Sequence, residues 1–317
     1  MRLLLTRHLP EEIEDRAVRE FQARLNPSDQ PYDASSLVAA AEGCEALLVC
    51  STDNLSAEVI DALPSSVRVV ATFSVGYDHI DLTAAQRRGI MVANTPDVVT
   101  TSTAEVAFLL LLGTAHRAIE GDRMVRTDTW PGWAPMQLLG RLLSGKNLGI
   151  VGMGRIGQAV AQRARSFDMR ILYHNRHRLP PATEQGAAYY DRLDDMLPQC
   201  HFLSLHCPLT PQTHHLLNAK RLHQLPPGAT VINTARGGLI DDAALIDALQ
   251  SGHLAAAGLD VFDGEPAIHP GYRDLPNVFL MPHLGTAAYE TRVSMGMRAL
   301  DNISAVLAGG EPPDRVV

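Results

Sequence analysis

The sequence predicts an α/β fold with two domains, each built on a doubly wound parallel sheet. Short apolar runs alternate with polar, helix-like segments from Arg2 to about Val92 and again beyond Asn147. This alternation is typical of parallel strands that are joined by crossover helices. The length of 317 residues suggests two domains at about 150 residues each. The content of 46% hydrophobic and 20% charged residues indicates a globular protein.

The first series of elements occupies the N-terminal third of the chain. Apolar runs predict strands at 2–6, 46–50 and 67–73, and helical patterns occur at 10–25 and 56–63. Turn residues at 94–97 place a crossover between the domains near residue 98. Ser102 and Glu105 then form an S-x-x-E capping box, which predicts one long helix that continues to about Val125.

The second series of elements begins at Asn147. Apolar runs predict strands at 147–151, 169–174, 201–206, 229–233, 255–262 and 277–282. Asp241 and Asp242 lie at the predicted N-terminus of a helix that runs to Ser251. The regular alternation of strands and helices indicates a second doubly wound parallel sheet.

The last predicted helix follows His283. Thr286 is its predicted cap, and Gly309 with Gly310 ends it. We expect this helix to return to the first domain. The first domain then comprises residues 1–98 and 287–317, and residues 99–286 form the second domain.

The charge balance argues against polyanionic partners. Lys and Arg number 27 and Asp and Glu 35, which gives a net charge of −8. This balance predicts neither nucleic acid nor an anionic membrane as a partner. The longest apolar run, 106–112, is far below the roughly 18 residues that a membrane span needs. The N-terminal segment lacks the apolar core of a secretory signal, so we expect a cytoplasmic location.

Four metal-like side chains occur around the strand predicted at 201–206. They are Cys200, His201, His206 and Cys207. Because alternate residues of a strand point to opposite faces, Cys200 and His206 point one way, whereas His201 and Cys207 point the other. The sequence therefore predicts no metal site here.

A glycine motif, Gly152-Met153-Gly154-Arg155-Ile156-Gly157, lies between a predicted strand and a predicted helix. This context indicates dinucleotide binding. Gly152 would make the tight turn, Gly154 would let the backbone approach the pyrophosphate, and Gly157 would let the helix pack closely on the strand. The phosphates would then lie at the helix N-terminus, where free N–H groups and the helix dipole favour anions.

The end of the next predicted strand bears on the choice of cofactor. An acidic residue at this place hydrogen-bonds the ribose hydroxyls of NAD. This chain has His174-Asn175-Arg176-His177-Arg178 instead, with no carboxylate. Arg176 can pair with a 2′-phosphate, and Arg178 would add a weaker attraction. The sequence therefore predicts a preference for NADP(H), with NAD(H) as the alternative; a solvated basic loop is the other interpretation.

Three residues that suit carbonyl reduction follow three predicted strands. They are Arg236, Glu265 and His283. In a doubly wound sheet, ligands bind at the carboxyl ends of the strands. The set would supply a cation for a substrate carboxylate, a carboxylate partner and an imidazolium acid.

Several long blocks, in order along the chain, resemble the D-isomer-specific 2-hydroxyacid dehydrogenase family. They are GIVGMGRIGQAVAQRA, SLHCPLTPQT, VINTARGGLIDDAAL, AAGLDVFDGEP and PHLGTA. Within the family, FSVGYDHID and NTPDVVTTSTAEVA are similar to the NADPH-dependent glyoxylate and hydroxypyruvate reductases. The resemblance covers essentially the whole chain. It implies a Rossmann domain inserted into a smaller, flavodoxin-like substrate domain.

The resemblance also implies roles for individual residues. The family's catalytic arginine, glutamate and histidine map onto Arg236, Glu265 and His283. Its nucleotide contacts map onto the glycine motif and onto Asn175, Arg176, Cys207, Pro208, Thr213, Thr234, Ala235, Arg236, Asp260, His283 and Gly285. Cys207 departs from the valine or threonine of many relatives, which leaves the fit on the nicotinamide side open. The resemblance further implies a homodimer whose crossing loops include Trp130 and Trp133, with Trp133 as a candidate to reach the partner's active site.

The implied reaction is reduction of a small 2-oxo acid, glyoxylate or hydroxypyruvate, to its D-2-hydroxy acid. The substrate would be bound by Arg236 and His283 and by the turn Ser74-Val75-Gly76, where the glycine lets backbone N–H groups approach a carboxylate. Two alternatives stay open. One is a related dehydrogenase of formate or phosphite, and the other is a nucleotide-sensing regulator on the same fold.

Overall fold

The computed structural model describes residues 2–317 and divides into two compact units. Unit 1 comprises the residues up to Val99 together with Thr286–Val317, and unit 2 comprises Thr100–Gly285. Each unit contains one parallel sheet, as the sequence predicts. No helix among residues 2–317 combines the length and the apolar character that a membrane span requires.

Eleven strands and twelve α-helices make up the described part of the chain. The strands are β1 (Leu3–Leu5), β2 (Ala46–Val49), β3 (Val69–Thr72), β4 (Met91–Ala93), β5 (Asn147–Val151), β6 (Arg170–His174), β7 (Ala188–Tyr190), β8 (Phe202–Leu205), β9 (Ala229–Asn233), β10 (Leu254–Leu259) and β11 (Val278–Leu280). The helices are α1 (Glu11–Phe21), α2 (Ala34–Ala40), α3 (Ala57–Ala62), α4 (Leu82–Arg88), α5 (Thr100–Ala115), α6 (Ala118–Arg126), α7 (Arg155–Arg165), α8 (Pro181–Glu184), α9 (Leu193–Met196), α10 (Ala219–Gln224), α11 (Asp242–Gln250) and α12 (Tyr289–Leu307).

Unit 1 is a four-stranded sheet in the order β1-β2-β3-β4, with every pair parallel. The strands are almost wholly buried because helices cover the sheet. In α1 the buried residues Ile13, Ala17 and Phe21 recur every fourth position, which is the spacing of one helix face. The C-terminal helix α12 packs against β2 and β3 and so completes this unit.

Unit 2 is a seven-stranded parallel sheet in the order β11-β10-β9-β8-β5-β6-β7. Alternate residues of β8 enter two different core clusters: Leu203 and Leu205 enter one, and Phe202 enters the other. Both faces of the sheet are therefore covered. The strand order reverses between β5 and β8, and doubly wound sheets bind their ligands at such a point.

The structure corrects two predicted helices. The single helix predicted from Ser102 to about Val125 is two helices, α5 and α6, and Ser102 lies inside α5 rather than at its cap. The break falls at Arg117, whose φ of 53° is left-handed and cannot continue a right-handed helix. The last helix begins at Tyr289 without a side-chain cap, so Thr286 is not its cap.

Candidate active site

The three candidate catalytic residues follow three neighbouring strands of unit 2. Arg236 lies three residues after β9, Glu265 follows β10, and His283 follows β11. In the sheet, Leu259 of β10 is the register partner both of Asn233 at the end of β9 and of Leu280 at the end of β11. Because the strands are parallel, their carboxyl ends bring the three loops to one edge of the sheet.

His283 and Glu265 form a hydrogen-bonded pair. The Nδ1 atom of His283 lies 2.7 Å from Oε2 of Glu265, and the backbone N–H of Phe262 donates to Oε1 of Glu265 at 2.8 Å. The other imidazole nitrogen, Nε2, has no protein partner in the part of the chain that the structure describes. The two side chains are 41% and 33% exposed, so a small molecule can reach the imidazole. This geometry holds the ring in place and leaves Nε2 for a substrate.

Several groups determine the protonation of Glu265. Burial raises the pKa of this carboxyl, but the hydrogen bonds from His283 and from the Phe262 N–H, with the charges of His283 and Arg236, outweigh burial and lower the pKa overall. Glu265 is therefore an anion at neutral pH. A fixed negative charge beside an imidazole favours its protonated form.

Asp260 positions the segment that carries His283. Its buried carboxylate accepts the backbone N–H groups of Leu284 and Gly285, both at 2.7 Å, and its backbone carbonyl accepts the N–H of His283 at 2.8 Å. Burial raises the pKa of Asp260, while the two N–H groups act to lower it. Asp260 is a predicted cofactor contact, but both of its carboxylate oxygens accept hydrogen bonds from the protein backbone. In this structure it orients the loop that carries His283.

The loop of Arg236 is held by the last residue of β9. The side chain of Asn233 donates to the carbonyl of Arg236 at 2.8 Å and accepts the N–H of Ala235 at 3.0 Å. Nη1 of Arg236 donates to the carbonyl of Ala235 at 2.8 Å. The amide therefore fixes the backbone from which the guanidinium extends.

The glycine motif adopts the conformation that the sequence predicts. Gly152 has a φ of 94°, and a Cβ atom there would lie 2.5 Å from the backbone N of Cys207. A Cβ atom on Gly157 would lie 2.4 Å from the carbonyl oxygen of Gly152. Helix α7 then begins at Arg155, with Gly154 as an N-cap that has no side-chain cap. The helix N-terminus is therefore open to an anionic ligand.

The two glycines at 152 and 154 should respond differently to alanine. We expect Gly152→Ala to lower the free energy of unfolding by about 1–3 kcal/mol, because a left-handed φ and a backbone clash coincide there. Gly154→Ala should leave stability unchanged, since no heavy atom lies within 4 Å of the added carbon. It should weaken NADPH binding by about tenfold or more, because the methyl group occupies the approach to the pyrophosphate. Denaturant unfolding and fluorescence titration measure the two effects, and unchanged NADPH affinity in Gly154→Ala would contradict this binding mode.

The turn after β6 differs in one respect from the prediction. Oδ1 of Asn175 accepts the backbone N–H of Met153 at 2.7 Å and ties this turn to the glycine motif. Arg178 is not available to a phosphate, because its guanidinium makes a two-pronged ion pair with Glu184 at 2.8 and 3.0 Å. Arg176 is exposed, and its side chain has no partner among residues 2–317. The cation that remains for a 2′-phosphate is Arg176.

The other predicted nucleotide contacts lie after β8 and β9. The hydroxyl of Thr213 donates to the carbonyl of Pro208 at 2.7 Å and so closes the loop after β8. Burial raises the pKa of the Cys207 thiol to about 11, so this side chain is neutral. The buried hydroxyl of Thr234 has no partner in the described residues. An unsatisfied buried hydroxyl and an open helix N-terminus fit a bound dinucleotide.

The turn Ser74-Val75-Gly76 of unit 1 follows β3. Its carbonyl oxygens are all engaged: that of Ser74 accepts the N–H of Thr95, that of Val75 accepts the side chain of Asn94, and that of Gly76 accepts the hydroxyl of Ser74. The N–H groups of Val75 and Gly76 donate to no atom of residues 2–317. The turn therefore presents donors, which is the polarity that an anion requires.

Three of the four metal-like side chains around β8 have separate hydrogen-bond partners. Burial raises the pKa of the Cys200 thiol to about 12 and lowers the pKa of His206 to about 4. Their contacts are Cys200 Sγ with Met196 O at 3.3 Å, His201 Nδ1 with Asn147 N at 3.1 Å, and His206 Nε2 with Ser204 Oγ at 2.8 Å. The four side chains do not converge on one point.

A different cluster, which the sequence analysis does not identify, contains His214, His215 and Asp263. Potential ligand atoms of these residues lie within 4.8 Å of one another. The two imidazoles are stacked, with ring centroids 3.9 Å apart and planes inclined by 25°. Because nitrogen lone pairs lie in the ring plane, stacked rings direct them side by side rather than toward one ion. This arrangement does not form a coordination site as it stands.

Comparison with known proteins identifies relatives of this chain over its whole length. Residues 108–285 match the model of the D-isomer specific 2-hydroxyacid dehydrogenase, NAD binding domain. A glycerate dehydrogenase of Hyphomicrobium methylovorum is 45% identical over 312 residues, which cover 98% of this chain and 97% of the relative. A glyoxylate reductase of Thermococcus litoralis is 40% identical and covers 99% of this chain and 96% of its own length.

A solved structure is also similar to this chain. The NADPH-dependent glyoxylate/hydroxypyruvate reductase of Sinorhizobium meliloti, in complex with NADP and malonate, superposes with a TM-score of 0.90. Its identity to this chain is 34%, and the match covers 100% of this chain and 96% of that one. With its Rossmann nucleotide-binding unit, the chain is an oxidoreductase that belongs to the D-isomer specific 2-hydroxyacid dehydrogenase family.

Proposed function

We propose that this enzyme reduces small 2-oxo acids, glyoxylate or hydroxypyruvate, to their D-2-hydroxy acids with NADPH. The observation that carries the proposal is the His283–Glu265 pair at 2.7 Å, where Nε2 of the imidazole has no partner among residues 2–317 and the charge of Arg236 acts on Glu265. The nucleotide is assigned to unit 2. The glycerate dehydrogenase and glyoxylate reductase relatives support this substrate class.

Three residues of the chain have separate roles in carbonyl reduction. When bound, NADPH supplies the hydride, two electrons and a proton nucleus, to the carbonyl carbon. Arg236 binds the substrate carboxylate and stabilises the negative charge that develops on the carbonyl oxygen. His283 donates its Nε2 proton to that oxygen, so the C=O double bond becomes C–OH. The anionic Glu265 orients the imidazole through Nδ1 and stabilises the positive charge of a proton donor there.

The turn Ser74-Val75-Gly76 is the proposed second binding element. Its free N–H groups suit a carboxylate, and the carbonyl bonds of the turn hold those groups in fixed directions. Preformed donors raise affinity because no reorganisation is needed on binding.

The proposed preference for NADPH depends on Arg176 and Asn175. The carboxamide oxygen of Asn175 is engaged by Met153 and bears no charge that would repel a phosphate. Arg176 is exposed and has no partner among the described residues, so it can form a charge-assisted contact with the 2′-phosphate. The same arrangement admits NADH, which lacks the phosphate, with lower affinity.

A substrate and cofactor panel tests the proposed function. We expect kcat/KM to be highest for glyoxylate or hydroxypyruvate with NADPH, lower for pyruvate and lowest for bulky 2-oxo acids. Formate and phosphite, which donate rather than accept hydride, should support no NADP⁺ reduction. Activity with either of these two, or NADPH binding without any reduction of a 2-oxo acid, would contradict the proposal.

Glutamine at position 265 tests the proton donor. Glu265→Gln retains the shape of the side chain and removes the charge that favours the imidazolium form. We expect the loss in kcat/KM relative to the wild type to grow as pH rises from about 6 to about 8, because a neutral glutamine cannot stabilise a positive charge on the ring that it contacts.

The matched control for this variant is Glu14→Gln. Glu14 pairs with Nδ1 of His8 at 2.9 Å on the surface of unit 1, so its loss should leave the pH profile flat relative to the wild type. A Glu265→Gln variant whose loss is the same at every pH would remove the carboxylate from this role.

We also propose a homodimer that forms through the segment from 125 to 142. Large apolar side chains are exposed along it, and Trp133 is 83% exposed. The others are Val125, Trp130, Met136, Leu139 and Leu142. A row of this kind in a folded protein is typical of a protein–protein interface. Sedimentation equilibrium should give twice the chain mass, and a Trp133→Ser variant should dissociate more readily.

The proposed location is the cytoplasm. All four cysteines, at 44, 50, 200 and 207, are free thiols. Reduced thiols and a supply of NADPH are both typical of that compartment. Fractionation of cells that produce the protein would test this assignment.

A further inference from the structure

Arg292 is a half-buried cation of unit 1 that the proposed mechanism does not use. It lies in the first turn of α12, and its Nε donates to the carbonyl of Thr286 at 3.0 Å. The guanidinium carbon lies 5.7 Å from the centroid of the Phe73 ring. The hydrogen bond and the aromatic ring together hold the planar group in one orientation.

In the part of the chain that the structure describes, no acidic side chain pairs with Arg292. It takes part in no ion pair among residues 2–317, and its two terminal nitrogens donate to no protein atom there. Burial lowers the pKa of the Arg292 guanidinium, and the one titratable group that acts in the opposite direction is the Cys50 thiol. A charge withdrawn from water without a counter-ion is costly, so such a group favours an anionic ligand.

Three other half-buried arginines of the same unit differ in this respect. Each has a carboxylate at 2.7 Å: Arg7 has Asp29, Arg16 has Asp301, and Arg298 has Asp314. A fourth, Arg88, donates through both terminal nitrogens to the carbonyls of Ile60, Asp61 and Leu63. These residues tie elements of the unit together. The guanidinium of Arg292 has its hydrogen bond to one carbonyl alone, which leaves most of its donors for a ligand.

The residues around Arg292 lie at the carboxyl ends of strands β2 and β3. Cys50 directly follows β2, and Phe73 directly follows β3 and precedes the turn Ser74-Val75-Gly76. Doubly wound sheets bind ligands at this edge. A cation without a counter-ion and a turn that presents unbonded N–H groups therefore occur at the same edge of one sheet.

We propose that Arg292 is a specificity-determining residue that binds the substrate carboxylate together with the N–H groups of Val75 and Gly76. This inference rests on the proposed function, because it assumes that the turn binds the carboxylate of the proposed substrate. Arg292 would select small 2-oxo acids over neutral carbonyl compounds. A planar guanidinium can bind a carboxylate through two parallel N–H donors, which favours an anionic substrate over a neutral one.

Calorimetric titration with oxalate, a planar mimic of a 2-oxo acid, tests the inference on the full-length protein. We expect Arg292→Gln to bind oxalate at least about tenfold more weakly than the wild type, and Arg292→Lys to lie between the two. The matched control is Arg68→Gln. Arg68 precedes β3 at the opposite end of the strand and donates to the carbonyl of Val306 at 3.0 Å. Its replacement should leave oxalate affinity unchanged.

Kinetics separate binding from a merely structural role. In Arg292→Gln we expect KM for glyoxylate to rise about tenfold while kcat stays within about threefold, and kcat/KM for neutral glycolaldehyde should not fall. Wild-type oxalate affinity in Arg292→Gln would overturn the inference, as would equal losses in Arg292→Gln and Arg68→Gln. If Arg292→Gln does not fold, Arg292→Lys decides, and unchanged oxalate affinity there overturns the inference.

The outcomes also distinguish this inference from the proposed function. If oxalate binding depends on Arg292 but the wild type reduces no 2-oxo acid, the proposed reaction fails and the anion site stands. If the wild type reduces glyoxylate and Arg292→Gln retains the wild-type KM, the reaction stands and the role of Arg292 fails.

Discussion

Replacement of His283 by alanine should lower kcat by about 10²- to 10⁴-fold, the usual contribution of a positioned general acid. This loss corresponds to about 2.7–5.5 kcal/mol of transition-state stabilisation. The reason is geometric: Glu265 holds Nδ1 at 2.7 Å, and the opposite nitrogen is the one proton donor that the proposed mechanism places at the carbonyl oxygen. Steady-state rates with saturating NADPH and glyoxylate measure the effect.

A second histidine–glutamate pair provides the control for this variant. Nδ1 of His8 lies 2.9 Å from Glu14 in unit 1, so His8→Ala removes a similar pair elsewhere in the molecule. We expect His8→Ala to retain the wild-type kcat. The dissociation constant of NADPH should change little in His283→Ala, because the imidazole acts on the substrate. A His283→Ala enzyme with kcat near that of the wild type would exclude this residue as the proton donor.

The wild type should prefer NADPH to NADH by at least about tenfold in kcat/KM, and the double variant Asn175→Asp with Arg176→Ala should invert the preference. A guanidinium–phosphate contact contributes about 1.5–3 kcal/mol, or roughly 10- to 100-fold in affinity. Aspartate at 175 can still accept the Met153 N–H, as Asn175 does at 2.7 Å. The substitution therefore adds a charge that repels the 2′-phosphate while it keeps the hydrogen bond that ties the turn.

Arg170→Ala is the matched control for cofactor choice. Arg170 is an exposed arginine that begins β6, at the end of the strand opposite to Asn175, and its loss should leave the ratio of the two cofactors unchanged. Higher salt should reduce the wild-type preference, because it screens an exposed charge pair. Equal use of NADH by the wild type, or an NADPH preference in the double variant, would identify the turn as a solvated loop without a role in selection.

The two sheets, the glycine motif and the family can be predicted from the amino-acid sequence alone. The run at 229–233 is β9 from Ala229 to Asn233, and the helix predicted from Asp241 begins at Asp242 with the Asp241 side chain as its cap. These features are readable because a strand buried on both faces is a continuous apolar run, and a cap is a contact between near neighbours in the chain. The short strands β4 and β7 are not identified. Unlike the equally short β1 and β11, neither begins with a buried residue.

The pairing of charged side chains is seen only in the three-dimensional fold. Arg178 is predicted to attract the cofactor phosphate, but the fold brings Glu184 to it, and Arg176 alone remains unpaired in that turn. Likewise, nothing in the local pattern around Arg292 indicates that it lies over Phe73 and has no carboxylate partner in the described part of the chain. The physical reason is the same in both cases. Local patterns report burial and backbone preference, whereas the partner of a charged side chain is set by segments that are distant along the chain and adjacent in space.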